Sequence, residues 1–356
     1  MRLGRTVPTM KLRTSLLTTC IFVGSLLATA ACGSPAPRDA SQASHADTRD
    51  LQTVCERAEH EGQGHLGIAA LHVESGERFA FHGEERFPMQ SVFKLPLAIE
   101  LLAHVDAGDL RLDDEVTIRP SDLRPGPGGA LADELPNGGT RSMLALLERM
   151  VIASDNTAAD ILLERVGGPR KVTDRLHALG IEGVDVSRSE ADLHFDFTGV
   201  TQRPPRDTWT LAKLHEVTNT PPAVRRSALA TYLADPRDTA KPNAMVDLLL
   251  RVHQRKVLKP ESGERLVSIL ERTTTGKKRL RGLLPPETVV AHKTGMSDTT
   301  DGVTAATNDV GIITLPGNAG HVVIAAFLSN SKGDDDTRDR AIATVTRAMV
   351  DHFTKR

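Results

Sequence analysis

The chain has 356 residues, 39% of them hydrophobic, and its 44 Lys and Arg against 46 Asp and Glu leave a formal charge of −2. That length serves one large globular body or two smaller ones, and the near-neutral balance argues against a protein held to nucleic acid by its charge. A single Trp and a single Tyr are also too few for a platform that stacks unpaired bases.

The N-terminus differs in kind from the rest. Arg2, Arg5, Lys11 and Arg13 precede an apolar stretch from about Ser15 to Ala31, short for a membrane span but suited to the basic and apolar regions of a secretory signal. Residues 1–31 are therefore expected to direct export, to the periplasm or the outer surface. Two processing readings stay open. Ala28-Thr29-Ala30 offers a small-x-small cleavage site, whereas Leu27-Ala-Thr-Ala-Ala-Cys32 resembles a bacterial lipobox with Thr29 in place of its usual Leu. The second would put a lipid on Cys32 and make that anchor the chain's only membrane contact. Residues 32–48 are small, polar and Pro-containing, the composition of a flexible tether. Of three cysteines, Cys20 leaves with the signal and Cys32 is terminal or lipidated. Cys55 then stands alone and reads as a packed small hydrophobe, and no disulfide is expected unless Cys32 is unlipidated and reaches it.

The folded body begins near Arg49. A helix is predicted over Leu51–His60, then strands over His65–Val73 and Arg78–Phe81, joined at Ser75-Gly76 as a hairpin. Helical apolar spacing follows over Val92–Ala107, Met143–Ala153, Asn156–Val166, Pro169–Leu179, Pro242–Arg255 and Glu261–Thr273. Strands return at Thr288–Ala291, Asp309–Leu315 and His321–Leu328, with a Pro-Gly-Asn turn between the last two. A final helix over Asp336–Phe353 starts on the acidic run Asp334–Asp336, which suits a helix N-terminus. Strands at both ends of a helical middle imply an α/β (α+β) fold. One sheet is assembled from distant segments, and a mostly helical lobe, about residues 85–285, is inserted within a single domain over 49–356.

Three short strings carry chemistry. Ser91-Val-Phe-Lys94 sets a hydroxyl at a helix start and an amine one turn later on the same face. A hydroxyl is a weak nucleophile at neutral pH, and a desolvated amine beside it can act as its base. Taken singly, the string is also an ordinary N-cap followed by a solvated lysine, although the apolar run Leu95–Leu102 argues that Lys94 sits at the mouth of a buried helix. Ser154-Asp155-Asn156 falls at a break between two helices, where Ser154 or Asp155 could equally be a cap. Lys293-Thr294-Gly295 ends an apolar run. Lys293 there could hold a carboxylate, and Gly295 would permit close backbone approach.

Together and in this order, from about residue 50 onward, the strings resemble the motif set of the class A serine β-lactamases, which penicillin-binding proteins share in part. Phe87-Pro-Met before the serine, Val166-Gly-Gly-Pro169 after the central helix, and Gly282-Leu-Leu-Pro285 ahead of the last motif extend the resemblance. Arg188-Ser-Glu190-Ala-Asp-Leu-His194 matches the family's Ω-loop, and His194 is similar to an extended-spectrum subgroup with His at that place. The resemblance implies the serine β-lactamase and D,D-peptidase-like fold. It further implies hydrolysis of the β-lactam amide through a Ser91 acyl-enzyme, with antibiotic resistance as the outcome. Carried over by position, Lys94 partners Ser91, Ser154 passes the proton to the leaving nitrogen, and Glu190 activates the hydrolytic water. Asn156 binds the substrate's side-chain amide, Lys293 and Thr294 its carboxylate, and the N–H groups of Ser91 and Met296 form the oxyanion hole beside Gly295. His194 would help position the water. The alternatives are a D,D-peptidase and a non-turnover penicillin-binding sensor or decoy lipoprotein, which have the acylation residues but lack the glutamate.

Residues 195–236 exceed the usual exit of that loop and read as an insertion with helices near Thr208–Val217 and Pro222–Leu233. Arg206-Asp-Thr208 and Arg237-Asp-Thr239 both could mark the return to the scaffold, and the second is preferred because Pro242 and a clear helix follow it. The segment Ser121–Leu135 offers no aromatic beside the site. His60-Glu61-Gly-Gln-Gly-His65 spaces its histidines five apart rather than four and contains two glycines, so no metal is expected. No G-x-S-x-G elbow or P-loop occurs, no cofactor is expected, and a monomer acting on small β-lactams is the reading.

Overall fold

A computed structural model describes residues 40–126 and 130–355, with side chains from residue 49 onward. The expected export signal, Cys20, Cys32 and the first part of the tether lie outside the described residues. The first helix, α1, spans Ala40–Glu61 and so takes in residues 40–48, which composition alone assigned to the tether.

The central sheet is antiparallel throughout. Strands β1 (His65–His72), β2 (Arg78–Phe81), β3 (Val290–Met296), β4 (Val303–Thr314) and β5 (His321–Ser331) lie in the order β2-β1-β5-β4-β3. The two N-terminal strands thus share a sheet with the three C-terminal ones, joined by the β1–β5 register His65↔Ser329 to His72↔Val322. β4 and β5 are buried along nearly their whole length, because helices cover both faces. One face packs Leu66, Ile68, Ile324 and Leu328 against Cys55 of α1 and Ile342 and Met349 of α11 (Asp335–Thr354). Cys55 is fully buried, and its thiol is pushed up to about 12 by that burial and by the charges of Glu56 and Glu59. Such a thiol is inert.

The opposite face shares one continuous apolar core with the helical lobe. The lobe comprises α2 (Lys94–Ala107), α3 (Met143–Ile152), α4 (Asn156–Arg165), α5 (Pro169–Ala178), α6 (Glu190–Thr198), α7 (Leu211–Thr218), α8 (Pro222–Ala234), α9 (Pro242–His253) and α10 (Pro260–Glu271). Its ends carry local signals. Asp155 caps α4, Ser189 caps α6, and Gly108 at φ 85 closes α2. β3 is longer than its apolar run indicates and carries the Lys-Thr-Gly string inside the strand rather than at its end.

Candidate active site

Ser91 stands on a 3-10 turn, Gln90–Phe93, that runs directly into α2, so Lys94 is the first residue of that helix. The helix expected from Val92 onward is wound more tightly over this first turn, and that winding sets the nucleophile. Lys94 Nζ donates to Ser91 Oγ at 3.0 Å. The lysine is fully buried, and Nζ also lies 2.7 Å from Glu190 Oε1, Ser154 O and Asn156 Oδ1. A buried cation is tolerated only when its protons are met in this way.

The Ser-Asp-Asn string resolves into one cap and two cleft residues. Asp155 accepts from Ala158 N at 2.8 Å and Leu131 N at 2.5 Å, which leaves its neighbours Ser154 and Asn156 to face Lys94. Ser154 holds φ 61, a left-handed conformation that costs a non-glycine residue energy and persists where its surroundings impose it. Its Oγ lies 3.0 Å from Lys293 Nζ and 3.4 Å from Lys94 Nζ, between two buried amines. Burial first, then the nearby Lys94 charge, hold Lys293 well below the ordinary lysine range.

β3 forms the opposite wall and is an edge strand in the sheet order given above. Ser297 N donates to Ala306 O at 3.0 Å, and by the alternation of an antiparallel pair the N–H groups of Thr294 and Met296 face the open edge, toward Ser91. The approach is close. A Cβ on Gly295 would stand 2.3 Å from Met89 O and 3.2 Å from Ser91 N, so only glycine fits there. Asn308 on β4 donates Nδ2 to Pro88 O at 2.8 Å and Met89 O at 3.0 Å, fastening the same turn to the sheet.

Glu190 is the first residue of α6, directly behind its cap Ser189. Its backbone N–H donates to Asp160 Oδ1 at 2.7 Å, and Asp160 in turn accepts from Arg124 Nε at 2.6 Å. Its Oε1 accepts from Ser91 Oγ at 3.3 Å. His194, one helical turn later, lines the same cavity. Burial holds its imidazole below the usual value against the opposing charges of Asp298 and Glu190.

The neck of this loop is closed by Arg188, whose Nε meets Asp238 Oδ2 at 2.6 Å and whose Nη1 meets Asp196 and Asp235 at 2.9 and 3.1 Å. Burial works to lower this guanidinium, and those carboxylates, Asp238 foremost, outweigh it and raise it. The chain returns at Thr239–Ala240, paired with Phe87–Pro88, so the second Arg-Asp-Thr is the one that rejoins the scaffold. The intervening segment packs α7 and α8 onto α6. Phe195 meets Trp209 edge to face, Phe197 meets Tyr232 likewise, and Arg124 lies 4.7 Å from the Trp209 ring centroid. Leu214 and His215 of α7 line the cleft, a cavity of about 720 Å³ that also contains Ser91, Asn156 and Met296. Met296 is 48% exposed at its mouth.

Sequence reasoning missed several groups here. Arg279 reaches Gly295 O at 3.3 Å and Asn308 O at 3.1 Å, and it pairs with Asp339 at 2.7 Å. In the basic run Lys277 to Arg281 nothing local distinguishes it from surface charge. Thr275 Oγ1 lies 2.6 Å from Thr294 Oγ1. Asp160, Arg124, Gln90 and Tyr232 likewise carry no local signature.

A model of the beta-lactamase enzyme family matches residues 48–353. The chain belongs to that family. This β-lactamase is 30% identical to beta-lactamase VEB-1 of Pseudomonas aeruginosa, over 87% of this chain and 92% of the relative. It is 32% identical to extended-spectrum beta-lactamase PER-1 of the same organism, over 79% and 80%. Among solved structures, the extended-spectrum β-lactamase TLA-3 superposes with a TM-score of 0.72 at 32% identity, covering 86% of this chain and 99% of that one. A β-lactamase from Chitinophaga pinensis gives 0.71 at 34% identity, covering 85% and 98%. The fold is thus that of the class A enzymes, and this β-lactamase is a hydrolase of β-lactams.

Proposed function

We propose that this class A β-lactamase opens the β-lactam amide with Ser91 and clears the resulting ester with water activated by Glu190, giving its host resistance to the antibiotic. The observation that carries this reading is the position of Ser91 Oγ, 3.0 Å from Lys94 Nζ and 3.3 Å from Glu190 Oε1. In acylation the Ser91 proton passes to the Lys94–Glu190 pair as Oγ attacks the carbonyl carbon. The oxygen becomes an oxyanion between the N–H groups of Ser91 and Met296, and such donors contribute roughly 2.7 to 4 kcal/mol. The C–N bond breaks, and Ser154 hands a proton to the departing nitrogen, replenished from the lysine on either side of it. Asn156 holds the substrate's side-chain amide, while Lys293 and Thr294 hold its carboxylate.

In deacylation Glu190 takes a proton from water, the hydroxide attacks the ester, and Ser91 leaves with its proton restored. His194, on the same cavity wall one turn from Glu190, orients that water. This step separates a hydrolase from a penicillin-binding protein that acylates and stalls. Steady-state hydrolysis of a chromogenic cephalosporin tests it: many turnovers per enzyme are expected, and one stoichiometric burst with no further product would overturn it.

The same reading has the chain exported by residues 1–31, anchored by a lipid on Cys32 and active as a monomer, since one chain supplies every group named. Incorporation of labelled palmitate that is lost in Cys32→Ala supports the anchor, and equal labelling of the two would refute it.

A further inference from the structure

At the far end of the sheet a second cluster of side chains converges from three separate elements. His321 opens β5, Glu74 lies in the turn between β1 and β2, and His253 is the last residue of α9. Their ligand-capable atoms all lie within 4.8 Å of one another. The place is remote from Ser91. His321 pairs with Thr314 and Met296 with Thr307 on β4, so about seven residues of strand, roughly 23 Å, lie between the two ends.

Glu74 is held in advance. Its carboxylate accepts from His321 N at 2.7 Å and His321 Nδ1 at 2.8 Å. A Cβ at position 320 would stand 2.1 Å from Glu74 Oε2, and that residue is a glycine at φ 99. Partial burial works to raise the Glu74 carboxyl, but the hydrogen bonds from His321 prevail and keep it low, hence ionised at neutral pH. With Nδ1 donating to Glu74, the other ring nitrogen of His321 carries the free lone pair, the carboxylate–histidine arrangement that orients a metal ligand. The His253 ring lies 4.5 Å from the His321 ring, centroid to centroid. Burial, then the neighbouring His321, lower the His253 imidazole. Both histidines face a cavity of about 470 Å³ that gives an ion and its waters an entry path.

We propose that His253 and His321, with Glu74 as ligand or as the carboxylate orienting His321, form a binding site for a divalent transition ion of the zinc class. Two imidazoles and a carboxylate are a zinc donor set, with copper(II) and nickel(II) as competitors and magnesium or calcium disfavoured. Among the described residues the other grouping of this type, Glu59, His65 and His82, is closed. His65 has carboxylates on both ring nitrogens, Glu59 at 3.0 Å and Glu85 at 2.7 Å, and His82 Nδ1 is taken by Leu66 O at 2.9 Å. It serves as the internal control.

The test is calorimetric titration of the untagged, chelator-treated protein with Zn²⁺. One zinc per chain is expected, with a thermal midpoint raised by roughly 5 °C at a hundredfold excess over the dissociation constant. His253→Ala and His321→Ala should each lower affinity at least tenfold, and Glu74→Gln by about 10 to 100-fold. His65→Ala should not change it. Cephalosporin hydrolysis by His253→Ala should match the parent, and circular dichroism confirms that each variant is folded. Absence of zinc binding at about 100 μM zinc would overturn the proposal. So would equal affinity in parent and His253→Ala, or loss of binding in His65→Ala alone.

Discussion

Gln90 and Tyr232, 142 positions apart, share a buried hydrogen bond in which Gln90 Nε2 donates to Tyr232 Oη at 2.8 Å. Gln90 precedes the nucleophile and holds φ 46, whereas Tyr232 lies on α8, inside the segment that lengthens the Ω-loop. The long loop therefore props the turn that aims Ser91. Tyr232→Phe should leave Nε2 buried without a partner, lowering stability by about 1 to 3 kcal/mol. It should also slow acylation with little change in the fold. Adding Gln90→Leu removes the orphaned amide and should restore stability but not rate. Thermal unfolding and stopped-flow acylation measure the two quantities, and an unaltered Tyr232→Phe would show the contact to carry no weight.

Glu190 touches both Ser91 and Lys94, yet its distinct task is the second half of the cycle. Glu190→Ala should accumulate acyl-enzyme visible by intact mass, with turnover reduced about 10² to 10⁴-fold. Normal turnover in that variant would assign the base elsewhere.

Lys293 serves substrate binding only while protonated. Burial and the neighbouring Lys94 lower its pKa, so kcat/KM should begin to fall at a pH below the ordinary lysine range, as the free enzyme loses this cation. Lys293→Arg keeps the charge and should move that alkaline limb upward, whatever it costs at the optimum. A pH–rate profile from 6 to about 10.5 reads the limb directly, and an identical limb in both enzymes would place the titration on another group.

Gly295 leaves space for the nucleophile turn and for nothing more. In Gly295→Ala the new methyl would meet Met89 O, displacing β3 from Ser91 and with it the second oxyanion donor. A fall of about 10² to 10³-fold in acylation is expected, with stability lowered by an overpacking cost of about 1 to 3 kcal/mol. Near-parental acylation would mean that the Met296 N–H is not needed.

Arg188 joins three carboxylates at the neck of the loop. Arg188→Met should leave Asp238 buried and unpaired, at a cost of about 3 to 5 kcal/mol. The segment from Ser189 to Pro236 should then become the first site of limited proteolysis. Cleavage elsewhere at parental rates would show that the neck does not hold the loop.

The class of fold was legible because its signals are local. The short apolar run inside His65–His72, the spaced apolar faces of α3 and α9, and the caps Asp155 and Ser189 all act within a few neighbours. Ser91, Lys94, Ser154, Asn156, Glu190, Lys293 and Gly295 were legible as well, since each sits in a short string whose spacing carries meaning. The structure brings all of them to one cleft.

Other features depend on where distant segments meet. Ser154 holds its left-handed φ where two distant lysines meet it, Lys94 at its carbonyl and Lys293 at its hydroxyl. The low pKa of Lys293 follows from burial beside Lys94, 199 positions away by sequence number. Arg279, Tyr232 and the Glu74, His253, His321 cluster are single residues without a pattern, and they matter only through partners that folding delivers. By itself the sequence determined which residues could do the chemistry, because spacing on one helix turn or one strand is a local property. Only the tertiary structure decided the lowered pKa of Lys293, the supports of the site and the far cluster, because desolvation and long-range contact do not exist until the chain has folded.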